Sequence, residues 1–322
     1  MTHQINAKLN CTNEFFTPKE LDKESLFAKF LNTALPNIDD QNILQEYVGY
    51  TLMPDTRYQK AMVFEGNGGN GKGATTEIIS ALHQNVCSIK LDRIGGFGLS
   101  QIPDASLVVV NETPKKGINE EMLKQLISGD QVVVEIKNKN QFTFRPFAKW
   151  IISCNQFPKI GDESEGVWRR IILLKFNNTF TGTAKINDIH KKIISSEMLN
   201  VLEWALIGLQ RLLARGDNGD FKIPDHIKAY SETEKANSNN VIGFIDDSYL
   251  AVSKNPDVKK DDIYNIYLKY CENKFINPYG SVQFWKRINL SFPNLNSVQK
   301  REKDGKKYYT NLFFDYSAVK TD

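Results

Sequence analysis

The first part of the chain alternates apolar and polar residues with helical spacing. This pattern predicts one helix over Lys19–Leu35 and a second over Asp39–Leu52, with Pro36 between them. The stretch before Lys19 is polar and has no such period, so we expect an irregular arm there. Residues 1–57 are therefore predicted to be an N-terminal helical module.

Continuous apolar runs replace the helical spacing in the middle of the chain. Short runs of this kind are typical of strands that are buried on both faces of a parallel sheet. Helices are predicted between them over Thr75–Leu82 and Asn119–Ser128, which gives an α/β core over 58–182. The predicted strands are Ala61–Phe64, Ser106–Val110, Trp150–Cys154 and Ile171–Leu174.

A hairpin is predicted inside this core, over Gln131–Pro146. Two β-rich runs flank a polar tip that carries Lys137 and Lys139. A solvated turn is the simplest interpretation of such a tip, and a contact with a polyanion is the alternative. The residues themselves leave both interpretations open.

The last third of the chain returns to helical spacing and then ends in a basic hairpin. Residues 183–238 are predicted to be a helical lid, rich in apolar residues over Ile186–Arg215, followed by a linker at Glu232–Asn240. Residues 239–322 are predicted to hold helices over Asp261–Lys274 and Ser281–Leu290 and then a hairpin. This order is typical of a winged-helix DNA-binding domain. Its candidate DNA contacts are Lys286, Arg287, Lys300, Arg301, Lys306 and Lys307, and a solvated hairpin tip is the alternative for the last four.

Composition narrows the class of protein only a little. The chain has 322 residues, 41% hydrophobic and 25% charged, which is ordinary for a soluble globular protein. A net charge of +3 is too small to indicate a nucleic-acid partner by itself. The four cysteines are far apart and match no zinc motif, so we expect reduced thiols. No apolar run approaches about 18 residues, and we expect a cytoplasmic protein without a membrane partner.

A glycine-rich loop follows the first predicted strand and carries the clearest chemistry. Gly66–Lys72 fits the first seven positions of G-x-x-x-x-G-K-[ST], the loop that wraps the phosphates of a nucleoside triphosphate. Glycines allow successive backbone N–H groups to point inward and bind an anion, and the following helix presents its positive end. We predict that ATP binds here. The predicted contacts are Gly66, Asn67, Gly68, Gly69, Asn70, Gly71, Lys72, Gly73, Ala74 and Thr75.

The predicted Mg²⁺ site departs from the motif at one position. Gly73 stands where a metal-binding serine or threonine is expected. Two alternatives are open for the Mg²⁺ ligand. Either the hydroxyl of Thr75 or Thr76 replaces the missing one, or water and phosphate hold the metal. Asn111 and Glu112 follow the second apolar run, at the strand end where phosphate-loop ATPases place a metal ligand and a water-activating carboxylate. Glu112 is the candidate general base, and Asn111 takes the metal-side position.

Two further groups follow the later strands. Asn155 ends the third apolar run, where it would lie beside the γ-phosphate. Arg169 and Arg170 precede the fourth run. An arginine pair at a strand entrance is either a surface ion pair or the source of a cation that stabilises phosphoryl transfer.

The order and spacing of these motifs resemble those of superfamily 3 helicases, in the phage, plasmid and poxvirus primase-helicase branch. The resemblance is close over residues 40–180, and it rests on the Gly66–Lys72 loop, the Ser128–Asp130 turn and Trp168–Arg170. It implies an AAA+-type phosphate-loop ATPase core and a hexameric ring that moves along single-stranded DNA and unwinds duplex DNA. Gly73 and Asn111 depart from the wider helicase pattern.

The resemblance also implies roles for single residues. Lys72 would bind phosphate, Glu112 would activate water and Asn155 would sense the γ-phosphate. Arg170 would be the finger offered to the neighbouring subunit, with Arg169 as the alternative. The predicted DNA contacts inside the ring are Lys137, Lys139, Lys115 and Lys116.

The sequence analysis therefore favours a replicative DNA helicase of a mobile element. About sixty residues before the core are too few for a primase domain, so any primase is expected to be a separate protein. Two alternatives remain open. One is an origin-binding initiator whose nucleotide site only supports assembly, and the other is a phosphate-loop kinase of a small substrate.

Overall fold

The computed structural model describes residues 16–113, 118–134, 141–156, 165–180, 186–216, 219–238, 240–274, 278–302 and 305–315. The chain divides into two units, Met1–Glu232 and Thr233–Asp322. None of the described helices combines the length and the apolar character needed to cross a membrane.

The first unit is built on a parallel sheet. Its described strands are β1 (Ala61–Glu65), β2 (Val86–Ser88), β3 (Leu107–Val110), β6 (Lys149–Cys154) and β7 (Ile171–Lys175), in the order β2-β3-β6-β1-β7. Four of these confirm the predicted strands, and β2 was not predicted. The carboxyl ends of β3, β6 and β1 lie side by side at one edge of the sheet, because these three strands are neighbours and run parallel.

Helices cover both faces of this sheet. One face packs against α1 (Leu26–Ala34), α2 (Ile38–Thr51), α3 (Lys72–Ser80), α6 (Ile189–Ser196) and α7 (Met198–Leu213). The other face packs against α4 (Glu120–Ser128) and the segment that follows β2, which includes short 3-10 turns at Leu91–Arg93 and Gly96–Leu99. Alternate residues of β1 enter the two cores, which explains why the strand is apolar throughout.

The predicted N-terminal module and lid pack into the same core as the sheet. Helices α2 and α7 approach so closely that a Cβ on Gly208 would lie 2.4 Å from the carbonyl oxygen of Gln45. Glu46, which is buried on α2, accepts hydrogen bonds from Arg211 at 2.7 Å and from Arg215 at 2.7 Å. Glycine at this crossing and the two ion pairs to the buried Glu46 therefore join α2 to α7 and to the residues that follow it.

The predicted lid and linker have different internal boundaries in the structure. The helical lid predicted over 186–215 consists of two helices, with a break at Glu197. The predicted linker lies mostly within α8 (Asp225–Ser238), and α9 (Asn240–Ser248) follows it. The remaining short elements of the first unit are β4 (Val132–Val134), β5 (Phe142–Phe144) and α5 (Glu165–Trp168); β4 and β5 pair antiparallel as the predicted hairpin stem.

The second unit has its own hydrophobic core. It contains α10 (Lys260–Asn273), α11 (Ser281–Ser291), β10 (Ser297–Glu302) and β11 (Gly305–Thr310), in the predicted order of helix, helix and hairpin. Strand β9 (Val258–Lys259) adds to β11, and β8 (Leu250–Val252) pairs with β12 (Leu312–Phe314).

A buried lysine at the amino end of β6 makes the stability of the first unit depend on pH. Lys149 is 1% exposed, and its Nζ donates hydrogen bonds to the carbonyl oxygens of Met53 and Phe147. Burial lowers the pKa of Lys149 to about 7, and the charge of Asp55 opposes the shift only in part. Above pH 7 the folded chain therefore releases a proton that the unfolded chain keeps up to about pH 10.

We expect the free energy of unfolding to rise more steeply with pH in the parent than in Lys149→Met. The difference in slope should reach at most about 1.4 kcal/mol per pH unit between pH 7 and 10, because the folded-state pKa is depressed. Urea unfolding at pH 7, 8 and 9 measures it. Lys228→Met, which removes an exposed lysine, should keep the parent slope. Equal slopes in the parent and Lys149→Met would show that Lys149 keeps its proton in the folded chain.

Candidate functional site

The glycine-rich loop joins the end of β1 directly to α3. Gly66, Gly69 and Gly71 have φ angles of 148°, 75° and 93°. A residue with a side chain would be strained in these backbone conformations, whereas glycine adopts them freely. A Cβ on Gly66 would also lie 2.2 Å from the carbonyl oxygen of Phe176. The helix begins at Lys72, earlier than the predicted start near Ala74. The loop therefore has the strand–loop–helix context that a phosphate-binding loop requires.

Lys72 lies against the loop and is buried. Its Nζ donates hydrogen bonds to the carbonyl oxygen of Gly66, to that of Asn67 at 3.0 Å and to Oδ1 of Asn70 at 3.0 Å. Burial lowers the pKa of Lys72. The ammonium group is thus held at the loop by neutral oxygen acceptors, which an anionic ligand would outcompete.

Asn70 connects the loop to the segment after β7, a contact that the motif does not predict. Its Nδ2 donates a hydrogen bond of 2.8 Å to the carbonyl oxygen of Phe176, which follows β7, and its side chain is 3% exposed. At the end of β1, Oε1 of Glu65 accepts a hydrogen bond of 2.8 Å from the hydroxyl of Tyr230. These contacts join the loop to segments more than a hundred residues away in the chain.

Thr75 and Thr76 lie in the first turns of α3, and both are buried. Oγ1 of Thr75 donates to the carbonyl oxygen of Gly71 at 3.0 Å, and Oγ1 of Thr76 donates to that of Lys72 at 3.0 Å. Each hydroxyl keeps an oxygen lone pair for another partner. Thr75 lines an internal apolar cavity with Phe27 and Leu31, and Oγ1 of Thr76 lies 3.4 Å from Oγ of Ser153 on β6. A Mg²⁺ ion at the loop would therefore be held mainly by phosphate and water. Among the described residues, no group of three His, Cys, Asp or Glu side chains is placed to hold a metal alone.

Gly73 tests this interpretation of the metal site. A Cβ added there meets no atom within 4 Å, so serine fits the position without a clash. We expect Gly73→Ser to lower by several-fold the Mg²⁺ concentration that gives half-maximal nucleotide hydrolysis, because it places a hydroxyl directly after Lys72. Gly73→Ala is the matched control, since it adds the same Cβ without the oxygen. An equal response of both variants would exclude a metal contact at this position.

Asn155 lies beside the loop. It follows β6, is exposed, and lines a cavity of about 170 Å³ together with Gly66, Asn67, Asn70 and Lys175. The structure therefore brings this predicted residue together with the loop. Asn177 and Thr179, which follow β7, line the same cavity and were not predicted, since no motif marks them.

Asn111 and Glu112 lie farther from the loop. Both are exposed after β3 and line a different cavity of about 670 Å³, with Lys90, Arg93 and Gln101. Strand β6 lies between β3 and β1, so two strand spacings, roughly 10 Å, separate the ends of β3 and β1. The structure places both residues on the predicted edge of the sheet, but not in the cavity of Asn155.

Arg170 is held inside its own unit. Its Nε donates to Oγ of Ser128 at 2.7 Å, its Nη1 to the carbonyl oxygen of Gly166 at 2.6 Å and its Nη2 to Gln59 at 3.4 Å. Burial lowers the pKa of this guanidinium, with a smaller effect from the charge of Arg169. A finger offered to a neighbouring subunit must be exposed, so Arg170 would have to leave these contacts to act as one, and its role stays a prediction. Arg169, the alternative, is exposed.

The predicted DNA contacts fall into three groups. Lys115, Lys116, Lys137 and Lys139 lie outside the described residues. Arg287 is 5% exposed, its guanidinium lies 3.8 Å from the ring centroid of Tyr279, and it donates to Gln283, so it is not on an open surface and its DNA contact stays a prediction. The exposed cations of the second unit include Lys286, Lys300, Arg301 and Lys306, and Lys307 is half-buried.

The basic hairpin of the second unit places like charges opposite each other. Lys300 pairs across the strands with Lys307, and Arg301 pairs with Lys306. Opposed like charges are destabilising in a sheet. Asp257 lies 3.6 Å from Lys300 and is exposed, so it offsets only part of this repulsion. A polyanion bound along the hairpin would offset the rest.

Comparison with known proteins gives relatives at low identity. A family model described as "Family of unknown function (DUF5906)" matches residues 64–170. "Putative helicase 184R" of Invertebrate iridescent virus 6 is 24% identical over 90% of this chain and 33% of its own length. "Putative helicase 121R" of Invertebrate iridescent virus 3 is 21% identical over 76% of this chain and 30% of its own length. The chain thus spans a third or less of these relatives.

One group of solved structures is similar in fold. The apo structure of the NrS-1 C-terminal region superposes with a TM-score of 0.57 over 92% of this chain and 76% of that chain. The two sequences are 14% identical, so the likeness is one of fold alone.

Proposed function

We propose that this chain is an ATP-dependent DNA helicase that serves the replication of a phage, plasmid or other mobile element. The observation that carries the proposal is the Gly66–Lys72 loop between β1 and α3, with Asn155 in the cavity beside it. The similarity to viral proteins named as putative helicases supports the same class.

The loop and Lys72 would hold the triphosphate. The backbone N–H groups of the loop and the first turn of α3 would donate to the phosphate oxygens, and Lys72 would turn from its loop acceptors to them. Asn155 would donate its amide to the γ-phosphate. Mg²⁺, when bound, would neutralise charge between the β- and γ-phosphates, with the hydroxyl of Thr75 or Thr76 and the side chain of Asn111 as candidate ligands.

Glu112 would act as the general base. Its carboxylate is exposed at the end of β3, where it has access to water. It would accept a proton from the water that attacks the γ-phosphate, so that the water oxygen forms the new bond as the β–γ bridge breaks. The position of Glu112 in a separate cavity requires it to reach across the end of β6.

The remaining steps need a second subunit and DNA. By resemblance to superfamily 3 helicases, the chain would form a hexameric ring. In this ring the neighbouring subunit would complete the nucleotide site with Arg169. Lys115, Lys116, Lys137 and Lys139 would contact the DNA strand inside the ring. The exposed cations of β10 and β11, with Lys286 on α11, would contact duplex DNA in the manner of a winged-helix domain.

Strand separation tests the proposal. The parent chain is mixed with a forked DNA duplex that carries a fluorophore and a quencher, in the presence of Mg²⁺ and ATP. We expect fluorescence to rise with ATP and to stay constant with a non-hydrolysable ATP analogue. A signal that is equal with both nucleotides would contradict a helicase driven by hydrolysis.

The exposed Arg169 gives a prediction about a nucleotide site that two neighbouring subunits complete together. We expect Arg169→Ala to reduce ATP hydrolysis by about 10³-fold or more, as for other arginines that act across an interface. Mixing it with Lys72→Ala should restore part of the activity, because some interfaces then combine an intact loop with an intact arginine. Arg170→Ala is the matched control, and it should instead lower the melting temperature by breaking the contacts to Ser128 and Gly166. No recovery on mixing would show that Arg169 acts within its own subunit or not at all.

A second candidate function is an origin-binding initiator whose nucleotide site only supports assembly. The observation that favours it is the location of Glu112 outside the cavity of Asn155 and the loop. Such a protein would bind ATP and assemble, but it would not depend on Glu112.

A further inference from the structure

We infer that the exposed face of α11 reads the base sequence of duplex DNA, and that it selects sites rich in A·T pairs through the methyl groups of thymine. The inference rests on the DNA-binding part of the proposed function. It goes further, because cations that bind phosphates position a protein on DNA and carry no sequence information. The residues that would read the bases are uncharged and belong to no motif.

The exposed residues of α11 form one stripe along the helix. Val282 and Leu290 are 83% and 62% exposed, although both are apolar. Gln283, Lys286 and Asn289 are exposed between them, and the helical spacing places all five on one side. The opposite side of the helix packs into the core of the second unit. Exposed apolar residues alone do not identify a partner, but the charges around them do.

The charges of the second unit favour DNA as the partner of this stripe. Helix α11 contains no acidic residue, and Lys286 lies in the middle of the stripe. Helix α10 of the same unit differs, because it exposes Asp261, Asp262 and Glu272. A phosphate backbone is therefore repelled by α10 and attracted by α11. The like charges that oppose each other across β10 and β11 also favour an anionic partner.

A buried asparagine fixes the connection between α11 and the basic hairpin. Asn311 is 4% exposed, and its Oδ1 accepts a hydrogen bond of 2.7 Å from the N–H of Asn296. Its Nδ2 donates to the carbonyl oxygens of Ser253 at 3.0 Å and Asn294 at 3.3 Å. Asn294 and Asn296 lie between α11 and β10, so the helix and the hairpin are held in one arrangement. Phosphate contacts of the hairpin would then set the position of α11 on the duplex.

The apolar ends of the stripe suit the major groove. Val282 and Leu290 are about 12 Å apart along the helix axis, the length of roughly three to four base pairs. The major groove admits a helix, and thymine is the base that presents a methyl group there. Apolar side chains make favourable contacts with that methyl group. The two ends of the stripe therefore favour thymine at two positions of one short site.

The amide side chains of the stripe favour the same base pair. Nη1 of Arg287 donates a hydrogen bond of 3.0 Å to Oε1 of Gln283, and the guanidinium itself lies against the ring of Tyr279. This bond holds the amide of Gln283, which keeps an NH₂ donor and a second lone pair on its oxygen. Glutamine and asparagine bind N6 and N7 of adenine together. Gln283 and Asn289 thus select adenine, whose partner is thymine.

Binding of duplex DNA by the full chain without nucleotide tests the inference. The parent first selects duplexes from a library with a randomised central segment, and we expect A·T pairs to be enriched. Fluorescence anisotropy then compares the selected duplex with one in which deoxyuridine replaces thymidine, which removes the methyl groups alone. We expect the affinity of the parent to fall about fourfold for each contacted methyl group.

Two variants assign the effect to α11. Val282→Ser and Leu290→Ser should bind the thymine duplex more weakly than the parent and respond less to deoxyuridine. Both should fold, because both side chains are exposed. Ile266→Ser is the matched control, since Ile266 is an apolar residue on α10 that is 39% exposed, and it should keep the full response to deoxyuridine.

The outcomes separate this inference from the proposed function, because no arm depends on ATP hydrolysis. Equal affinity of the parent for thymine, uracil and G·C-rich duplexes would overturn base reading and leave the phosphate contacts of the hairpin standing. A full response to deoxyuridine in both α11 variants would show that other residues read the methyl groups. Self-association that Val282→Ser abolishes, with DNA affinity unchanged, would show that the stripe binds protein. A parent that binds no duplex would overturn this inference together with the duplex contacts of the second unit.

Discussion

Replacing Lys72 with alanine should reduce ATP hydrolysis by about 100- to 1,000-fold, the usual effect of removing one preorganised donor to transition-state charge. The ammonium lies within 3.0 Å of acceptors on both sides of the loop, so its charge is positioned where the phosphates would bind. Alanine removes the charge and leaves the backbone of the loop, which Gly66, Gly71 and Asn70 fix independently. Steady-state phosphate release measures the effect.

Two controls distinguish an effect of Lys72→Ala on hydrolysis from an effect on folding. Lys228→Ala removes a lysine that is exposed on α8, and it should hydrolyse ATP at the parent rate. The melting temperature of Lys72→Ala shows whether the variant is folded, because Lys72 and one of its acceptors, Oδ1 of Asn70, are buried. Parent-like hydrolysis by a folded Lys72→Ala would contradict a phosphate role.

Replacing Glu112 with glutamine should reduce hydrolysis by about 10²- to 10⁴-fold, the range for loss of a general base. The side chain is exposed, so the amide causes no packing defect and the fold should be unaffected. ATP affinity should remain close to that of the parent, because glutamine keeps the shape of the side chain and an oxygen acceptor. Single-turnover hydrolysis and equilibrium binding measure the two effects separately.

The same variant separates the two candidate functions. Glu121→Gln changes an exposed glutamate on α4 and should retain the parent rate. A Glu112→Gln chain that hydrolyses ATP and unwinds DNA as well as the parent would favour the initiator in which the nucleotide site only supports assembly. Loss of hydrolysis with retained binding is the result that a motor requires.

The strands and the loop were predictable because their causes are local. Strands β1, β3, β6 and β7 are continuous apolar runs, and the loop is defined by glycine spacing within seven residues. Strand β2 was missed because its three residues alternate in exposure, with Cys87 buried between exposed neighbours. Such a short alternating run has no signal that distinguishes it from a loop.

Features that depend on distant partners could not be predicted. The break at Glu197 has a reason only in three dimensions, since its carboxylate accepts hydrogen bonds of 2.8 Å from the N–H groups of Leu26 and Phe27 and caps α1. Arg170 is buried because Ser128 lies beside it, although 42 residues separate them. A cavity of about 500 Å³ beside the loop has an apolar wall that joins α1 to Phe180, Ile186 and Ile189, which share no motif.

The rate of ATP hydrolysis with and without single-stranded DNA tests the central claim most directly. The measurement compares the parent chain with Lys72→Ala at a fixed Mg²⁺ concentration, over a range of DNA concentrations. A helicase motor predicts hydrolysis that rises with DNA to a plateau in the parent and is absent in Lys72→Ala. Hydrolysis that is absent in the parent, or that does not respond to DNA, would contradict the proposal.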